Sequence, residues 1–303
     1  MQSANRVFLV RPANFGFNAE TAGSNAFQSR LPGANLNEKA LLEFDLFAEK
    51  LVRAGIDVTV FEDSAVPVKP DAIFPNNWLS THPDGRLILY PMCAANRRVE
   101  RTAGILNSLK ERFFVKEVID LTAHENEGRF LEGTGSVVFD HLNKIAYGCL
   151  SPRTDRALLF ELAALLGYTP HVFCAHDHSG KEIYHTNVMM CVGEKFALVC
   201  AESVSDVKER HDLLHSLGKG GRGVIEISRE QMSGFAGNML ELRKNDGTGL
   251  VVLSGKAYSC LSAQQINVLE KQVELLPLAI PTIETVGGGS ARCMIAELFL
   301  PPL

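Results

Sequence analysis

Cys293 follows the run Val-Gly-Gly-Gly-Ser-Ala-Arg at 286–292, a flexible entry whose backbone N–H groups can approach an anion, with Arg292 adjacent. Both features favour the thiolate, the nucleophilic form of cysteine. A buried cysteine in a strand is more often packing, so this stretch alone does not assign a nucleophile. His185, in Tyr-His-Thr-Asn, and Glu132, in Phe-Leu-Glu-Gly-Thr-Gly-Ser, supply what such chemistry also requires. One is a base for the thiol and the other a carboxylate to orient or assist it. The three residues are far apart in the chain, so the elements between them must bring them together.

Those elements repeat. A short strand, a turn, a second strand, a helix and a third strand recur four times. The copies begin at Ile-Phe-Pro-Asn-Asn-Trp (73–78), Gly-Ser-Val-Val-Phe (135–139), Asn-Val-Met-Met (187–190) and Asn-Met-Leu-Glu (238–241). A fifth copy is split. Residues 291–300 supply its first strand, and the N-terminal segments 6–12, 36–55 and 56–62 supply the rest. In its helix, Leu41, Phe44, Ala48 and Leu51 form one apolar stripe. Equivalent entry positions are Asn77, Ser136, Asn187, Asn238 and Cys293, at steps of 59, 51, 51 and 55 residues. Helix-containing repeats of this length cannot bury their sheets alone, so they must stack or close. The split fifth copy predicts a closed α/β ring of five units in one domain, 1–303, with the entry residues near one axis.

Composition narrows the function. The chain is 46% hydrophobic and 21% charged with a net charge of −5, and no basic cluster exceeds Gly-Lys-Gly-Gly-Arg-Gly or Asn-Arg-Arg-Val-Glu-Arg. That argues against nucleic acid or an anionic membrane as the main partner. No apolar run reaches a membrane span, and the N-terminus lacks a signal-peptide core. Seven cysteines with no C-x-x-C pair fit a reduced, cytoplasmic protein. Cys174, His176, Asp177, His178 and His185 could suggest a metal site, but Ser-Gly-Lys after His178 reads as a solvated loop, and no metal or organic cofactor is expected. The glycine runs lack a nucleotide-binding spacing.

Together these residues resemble the guanidino-group-modifying superfamily of amidinotransferases, arginine deiminases and dimethylarginine hydrolases. The resemblance covers essentially the whole chain. It implies the five-bladed, pseudo-fivefold β/α propeller called the pentein fold, closed by both termini. The family's Asp-x-x-Phe-x-x-Asp segment corresponds to Asp71, Phe74 and Asn77, and its arginine-rich helix start to Arg97. Its Glu-Gly-Gly-Asp appears as Glu132-Gly133-Thr134 without the terminal acid, and its carboxylate-gripping Ser-x-Arg-Thr is Ser151 to Thr154 with Arg153. Its His-x-Asp is His185-Thr186-Asn187, and its nucleophile is Cys293.

The departures carry the specificity. Arginine-cleaving members hold a cationic guanidinium between carboxylates. Here both aligned positions, Asn77 and Asn187, are neutral amides, and Asn76 adds a third beside them. An amide offers one donor and one acceptor, which complements a ureido group rather than a cation. The resemblance therefore implies the citrulline-hydrolysing branch: ornithine, ammonia and carbon dioxide from citrulline. Cys293 would be nucleophile, His185 acid and base, and Glu132 its partner. Arg153 with Arg97 would bind the α-carboxylate, and Asp71 an amino or urea N–H. The substrate is a small amino acid, and a homodimer is compatible with this reading. The alternatives are hydrolysis of a guanidino compound by a deiminase- or dimethylarginine hydrolase-like enzyme, or a non-catalytic propeller that binds a partner.

Overall fold

The computed structural model describes residues 1–31 and 35–303. Five three-stranded sheets surround one axis, each with an antiparallel inner pair and a parallel outer pair. In blade 1 the inner strand Ala296–Glu297 comes from the C-terminus and pairs with Arg6–Arg11, which pairs with Asp57–Glu62. Blade 2 runs Leu79–Thr81, Arg86–Leu89, Glu117–Asp120, and blade 3 runs Val137–Asp140, Ile145–Cys149, Thr169–Phe173. Blade 4 is Met190–Val192, Phe196–Val199, Gly223–Glu226, and blade 5 is Leu240–Arg243, Gly249–Ser254, Glu274–Leu278. The pairing of the two chain ends in one blade closes the ring, as the split repeat predicts.

The parallel pair in each blade requires a crossover, and helices provide it. Leu36–Arg53, Ala103–Arg112, Arg156–Leu166 and Val207–Leu217 serve blades 1 to 4. Blade 5 uses two short helices, Gly255–Cys260 and Ala263–Glu270. The blade 3 helix shows why they sit where they do. The Asp155 carboxylate accepts from the Leu158 N–H at its start, and Gly167 ends it at φ 74°. Between those caps Leu158, Leu159, Leu162 and Leu166 are buried against Ile88 and Tyr90 of the blade 2 side and against Val137 and Ala146 of blade 3. Each fully buried side chain of this size contributes roughly 1.5–3 kcal/mol. Apolar surface thus joins neighbouring blades as well as each helix to its own sheet.

Two expectations are corrected. The blade 1 helix buries Ala40, Phe44, Phe47 and Leu51, while Leu41 and Ala48 are only partly covered. The buried face is turned toward the large ring of Phe47, and both stripes satisfy helical spacing. The entry strand of blade 2 begins at Leu79, not at Ile73, because Pro75–Asn77 forms a 3-10 turn. Proline suits the first position of a helical turn. Comparable turns, Gly133–Ser136, Thr186–Val188 and Ala291–Met294, precede three other inner strands. The entry residues therefore sit on turns at the axis rather than within strands.

One ion pair locks two blades. Arg222 makes a bidentate contact with Asp140 at 2.6 and 3.1 Å and also donates to the Gly193 carbonyl, with both side chains buried. Removing one partner of such a pair strands the other charge. Arg222→Ala should lower the unfolding free energy in denaturant by roughly 3–5 kcal/mol. Arg243→Ala, whose pair with Glu194 is partly exposed, should cost less than about 1 kcal/mol. Equal losses in the two variants would contradict this view of the blade junction.

Candidate active site

The entry turns of blades 2 and 4 and of the closing blade 1 deliver Asn77, Asn187 and Cys293 to the axis, and all three are buried. The Cys293 sulfur receives two amides: Asn238 Nδ2 at 3.3 Å and Asn187 Nδ2 at 3.6 Å. Burial pushes the thiol above its ordinary range, while the Ser290 backbone N–H, Asn238, Arg292 and Asn187 pull it back. The amide oxygens of Asn238 and Asn187 lie farther off, at 3.6 and 4.0 Å, and among the described residues no carboxylate is bonded to the sulfur.

The sulfur opens on a pocket lined by Asp71, Phe74, Asn77, Arg97, Arg153, Tyr184, His185 and Gly287 to Gly289. His185 Nε2 is 2.8 Å from Glu132 Oε2. Glu132 also accepts from the Cys93 N–H at 3.0 Å and lies 3.4 Å from Arg153. Burial alone would raise the Glu132 carboxyl, but the Arg153 charge and the His185 bond hold it well below the usual carboxylate range. Burial takes His185 down to about 4 against the opposing pull of Glu132. At neutral pH the pair is therefore a carboxylate beside a neutral imidazole. Cys293, His185 and Glu132, read from the sequence as one constellation, do converge, and His185 makes no hydrogen bond to the sulfur, leaving the pocket between them.

Gly133 and Gly135 let these turns touch. Gly133 has φ 48°, and a Cβ there would fall 2.3 Å from the Asn76 carbonyl. A Cβ on Gly135 would meet Asn77 Nδ2 at 2.5 Å and the His185 ring at 2.8 Å. The glycines set amide and imidazole side by side at one wall of the pocket.

Arg97 is placed differently from the sequence expectation. Its guanidinium pairs bidentately with Glu100 at 2.8 Å for both bonds and donates to Asn77 Oδ1 at 2.7 Å and to the Phe74 carbonyl at 3.2 Å. Its charge is neutralised by the carboxylate one turn on, so it orients Asn77 instead of standing ready for a substrate carboxylate. With Oδ1 taken, Asn77 Nδ2 is left buried without a partner among the described residues. Arg153 is the freer cation. Beyond Glu132, among the described residues it donates to neutral groups, Ser24 Oγ and the Thr21 carbonyl, and it lies over the Tyr184 ring. Asp71 accepts from Asn18 at 2.7 Å through one oxygen, and burial raises its carboxyl against the pull of Arg97. Its other oxygen, Oδ1, is unpartnered among the described residues.

Two further expectations change. Asn76 is fully buried but does not line the pocket, since the turn that aims Asn77 inward points its neighbour away. Asn187 lies beside the sulfur and lines a second cavity with Met190, Cys191, Met239 and Arg292. The segment 174–178 is a loop in which Asp177 accepts from Ser179 and Lys181, and among the described residues no three His, Cys, Asp or Glu side chains converge as metal ligands.

The sequence profile of the family N,N dimethylarginine dimethylhydrolase, eukaryotic, matches residues 11–300. The chain belongs to that family. A search of curated proteins returns no match. The dimethylarginine dimethylhydrolase family member also resembles solved structures. The substrate-bound N-terminal domain of ArgZ, an arginine dihydrolase from the ornithine–ammonia cycle in cyanobacteria, superposes with a TM-score of 0.75 at 15% identity, covering 97% of this chain and 99% of that one. AgrE in complex with L-arginine gives 0.72 at 15% identity, covering 96% of this chain and 39% of that one. A dimethylarginine dimethylaminohydrolase adduct with S-methyl-L-thiocitrulline gives 0.68 at 15% identity, covering 97% and 100%. At these identities the likeness establishes the fold, an α/β pentein propeller.

Sequence reasoning missed the segment Asn18 to Asn25. Asn18 holds Asp71, Thr21 and Ser24 hold Arg153, and Asn25 donates to the Gly288 carbonyl. The polar run Asn-Ala-Glu-Thr-Ala-Gly-Ser-Asn at 18–25 is unusually rich in short amides and hydroxyls for a connection. Tyr184, which donates to Gly288 O at 2.8 Å, was legible only as the neighbour of His185.

The His185 state is testable directly. Its folded value lies below that of an unfolded histidine, so the ring stays neutral until acid well below pH 6. In ¹³C-labelled protein the His185 resonance should not move between pH 6 and 8. Glu132→Gln, by removing the group that favours imidazolium, should shift its midpoint lower still. A His185 resonance that titrates near pH 6.5 would contradict the assignment.

Proposed function

We propose that this protein hydrolyses the ureido group of citrulline, giving ornithine, ammonia and carbon dioxide through a covalent intermediate on Cys293. The observation carrying this reading is Asn77. Its oxygen is bonded to Arg97, so it turns an N–H donor into the pocket. A ureido carbonyl accepts that bond, whereas a guanidinium has only donors and would face a donor with no counter-charge.

The thiol passes its proton to His185 as sulfur attacks the ureido carbon, and the carbonyl oxygen gains charge that the Asn77 amide supports. His185 carries a proton to the departing nitrogen, and the Glu132 carboxylate stabilises the imidazolium formed in transit. Water deprotonated by His185 then cleaves the carbon–sulfur bond. The thiol is regenerated, and the released carbamic acid falls apart to carbon dioxide and the remaining amine. Arg153 exchanges Ser24 and Thr21 for the substrate carboxylate, and Asp71 Oδ1 takes the α-ammonium. The unsealed cation and the orphaned carboxylate oxygen fit an amino-acid head group. The free cysteines fit a reducing compartment, and we place the enzyme in the cytoplasm.

Family membership favours a second reading, hydrolysis of a guanidino compound such as a methylated arginine. The Arg97-oriented amide stands against it.

Ornithine release from citrulline is the test. Wild type should turn over citrulline, and Cys293→Ser should fold yet lose at least about a hundredfold in rate. Arg153→Ala should act mainly on KM. Near-normal turnover by folded Cys293→Ser, or no ornithine from wild type, would overturn the proposal.

A further inference from the structure

Asn238 belongs to the turn that opens blade 5, and the sequence suggests no role for it beyond its place at the axis. Its side chain is fully buried and clamped at both ends. Nδ2 donates to the Cys293 sulfur at 3.3 Å and to the Asn187 carbonyl at 2.9 Å, and Oδ1 accepts from the Arg292 N–H at 3.2 Å. It therefore ties the blade 4 and blade 5 entries to the turn that carries the nucleophile. Of the side-chain donors to the sulfur it is nearer than Asn187.

The loop that delivers it holds one residue in a costly backbone conformation. Phe235 adopts φ 66°, a left-handed conformation costly for an aromatic residue, and Gly237 follows two positions later. A Cβ on Gly237 would fall 2.4 Å from the Val188 carbonyl and 2.7 Å from the Met189 backbone. The missing Cβ lets the loop lie against the blade 4 entry, which brings Asn238 within reach of both Asn187 and the sulfur.

From this geometry we propose that Asn238 is a positioning residue for the nucleophile: it fixes the Cys293 rotamer and favours the thiolate by donating a neutral hydrogen bond. A hydrogen bond to the charged form lowers its energy without introducing a cation that a neutral substrate would not balance. The inference rests on Cys293 as the nucleophile but not on the identity of the substrate. Other groups facing the sulfur also act on its ionisation. Arg292 lies on its own turn, and Tyr184, His185, Arg97, Arg153 and Asp71 line the pocket, with Glu132 behind His185. All of them are retained in the variants below.

The test is the pH dependence of iodoacetamide alkylation at Cys293, read by peptide mass spectrometry, with exposed Cys174 as internal reference. Asn238→Asp replaces a donor with a charge of the same sign as the thiolate, so its midpoint should rise by about one pH unit or more. Asn238→Ala should move it in the same direction by less, and Asn238→Ser, which keeps a hydroxyl donor, least of all. With citrulline, kcat should fall at least about tenfold in Asn238→Ala while KM changes little. The Cys174 profile and Trp78 fluorescence should stay as in wild type. A folded Asn238→Asp with an unmoved Cys293 midpoint overturns the proposal, and so does failure of all three variants to fold, which would make the residue structural. A shifted midpoint in a protein that does not use citrulline would uphold Asn238 and reject the substrate.

Discussion

As the proposed nucleophile, the Cys293 sulfur has to ionise while buried at the centre of the ring, and its surroundings can be read from that constraint. No carboxylate or ammonium is bonded to Cys293. Two asparagine amides and the turn around Ser290 surround it instead. A carboxylate at position 187 would repel the thiolate unless a cationic substrate lay between them. On the proposed reading, carboxylates around a guanidinium and amides around a ureido group are two solutions to one electrostatic problem, with the charge of the substrate deciding between them.

Charge is kept at one remove from the chemistry. Glu100 saturates Arg97, which in turn fixes the direction of Asn77. Arg153 and His185 share Glu132, so the carboxylate stays ionised while the imidazole stays neutral. Asn77, Glu132 and His185 sit on or just before the entry turns of three different blades, while Arg97 with Glu100 and Arg153 follow the second strands of blades 2 and 3, so the blades have to assemble before the site exists. The pairing of residues 296–297 with the N-terminal strand completes the turn that carries Cys293.

The fold was legible because repeated strand and helix patterns leave periodic apolar signals, and the split repeat could close only one way. That Cys293, His185 and Glu132 meet was legible because each stands at or just before an entry position of the repeat, whereas Arg153 was named only through the family resemblance. The rest was hidden by side-chain direction. Whether Arg97 faces a substrate or Glu100 depends on a 3-10 turn that spacing does not reveal. Asn76 and Asn77 are chemically alike, and only the bend at Pro75 makes one of them a pocket wall. Asn18, Thr21 and Ser24 lie in a connection whose path across the ring is a tertiary property, so their types alone did not place them at the site.

The central claim is that neutral amides at 77 and 187 select a neutral substrate. The most direct measurement compares kcat/KM for citrulline and arginine in wild type and in Asn77→Asp/Asn187→Asp. The account predicts a wild-type preference for citrulline of roughly a hundredfold or more, and a double variant in which citrulline turnover falls while arginine binding improves. A wild-type enzyme that prefers arginine would contradict it.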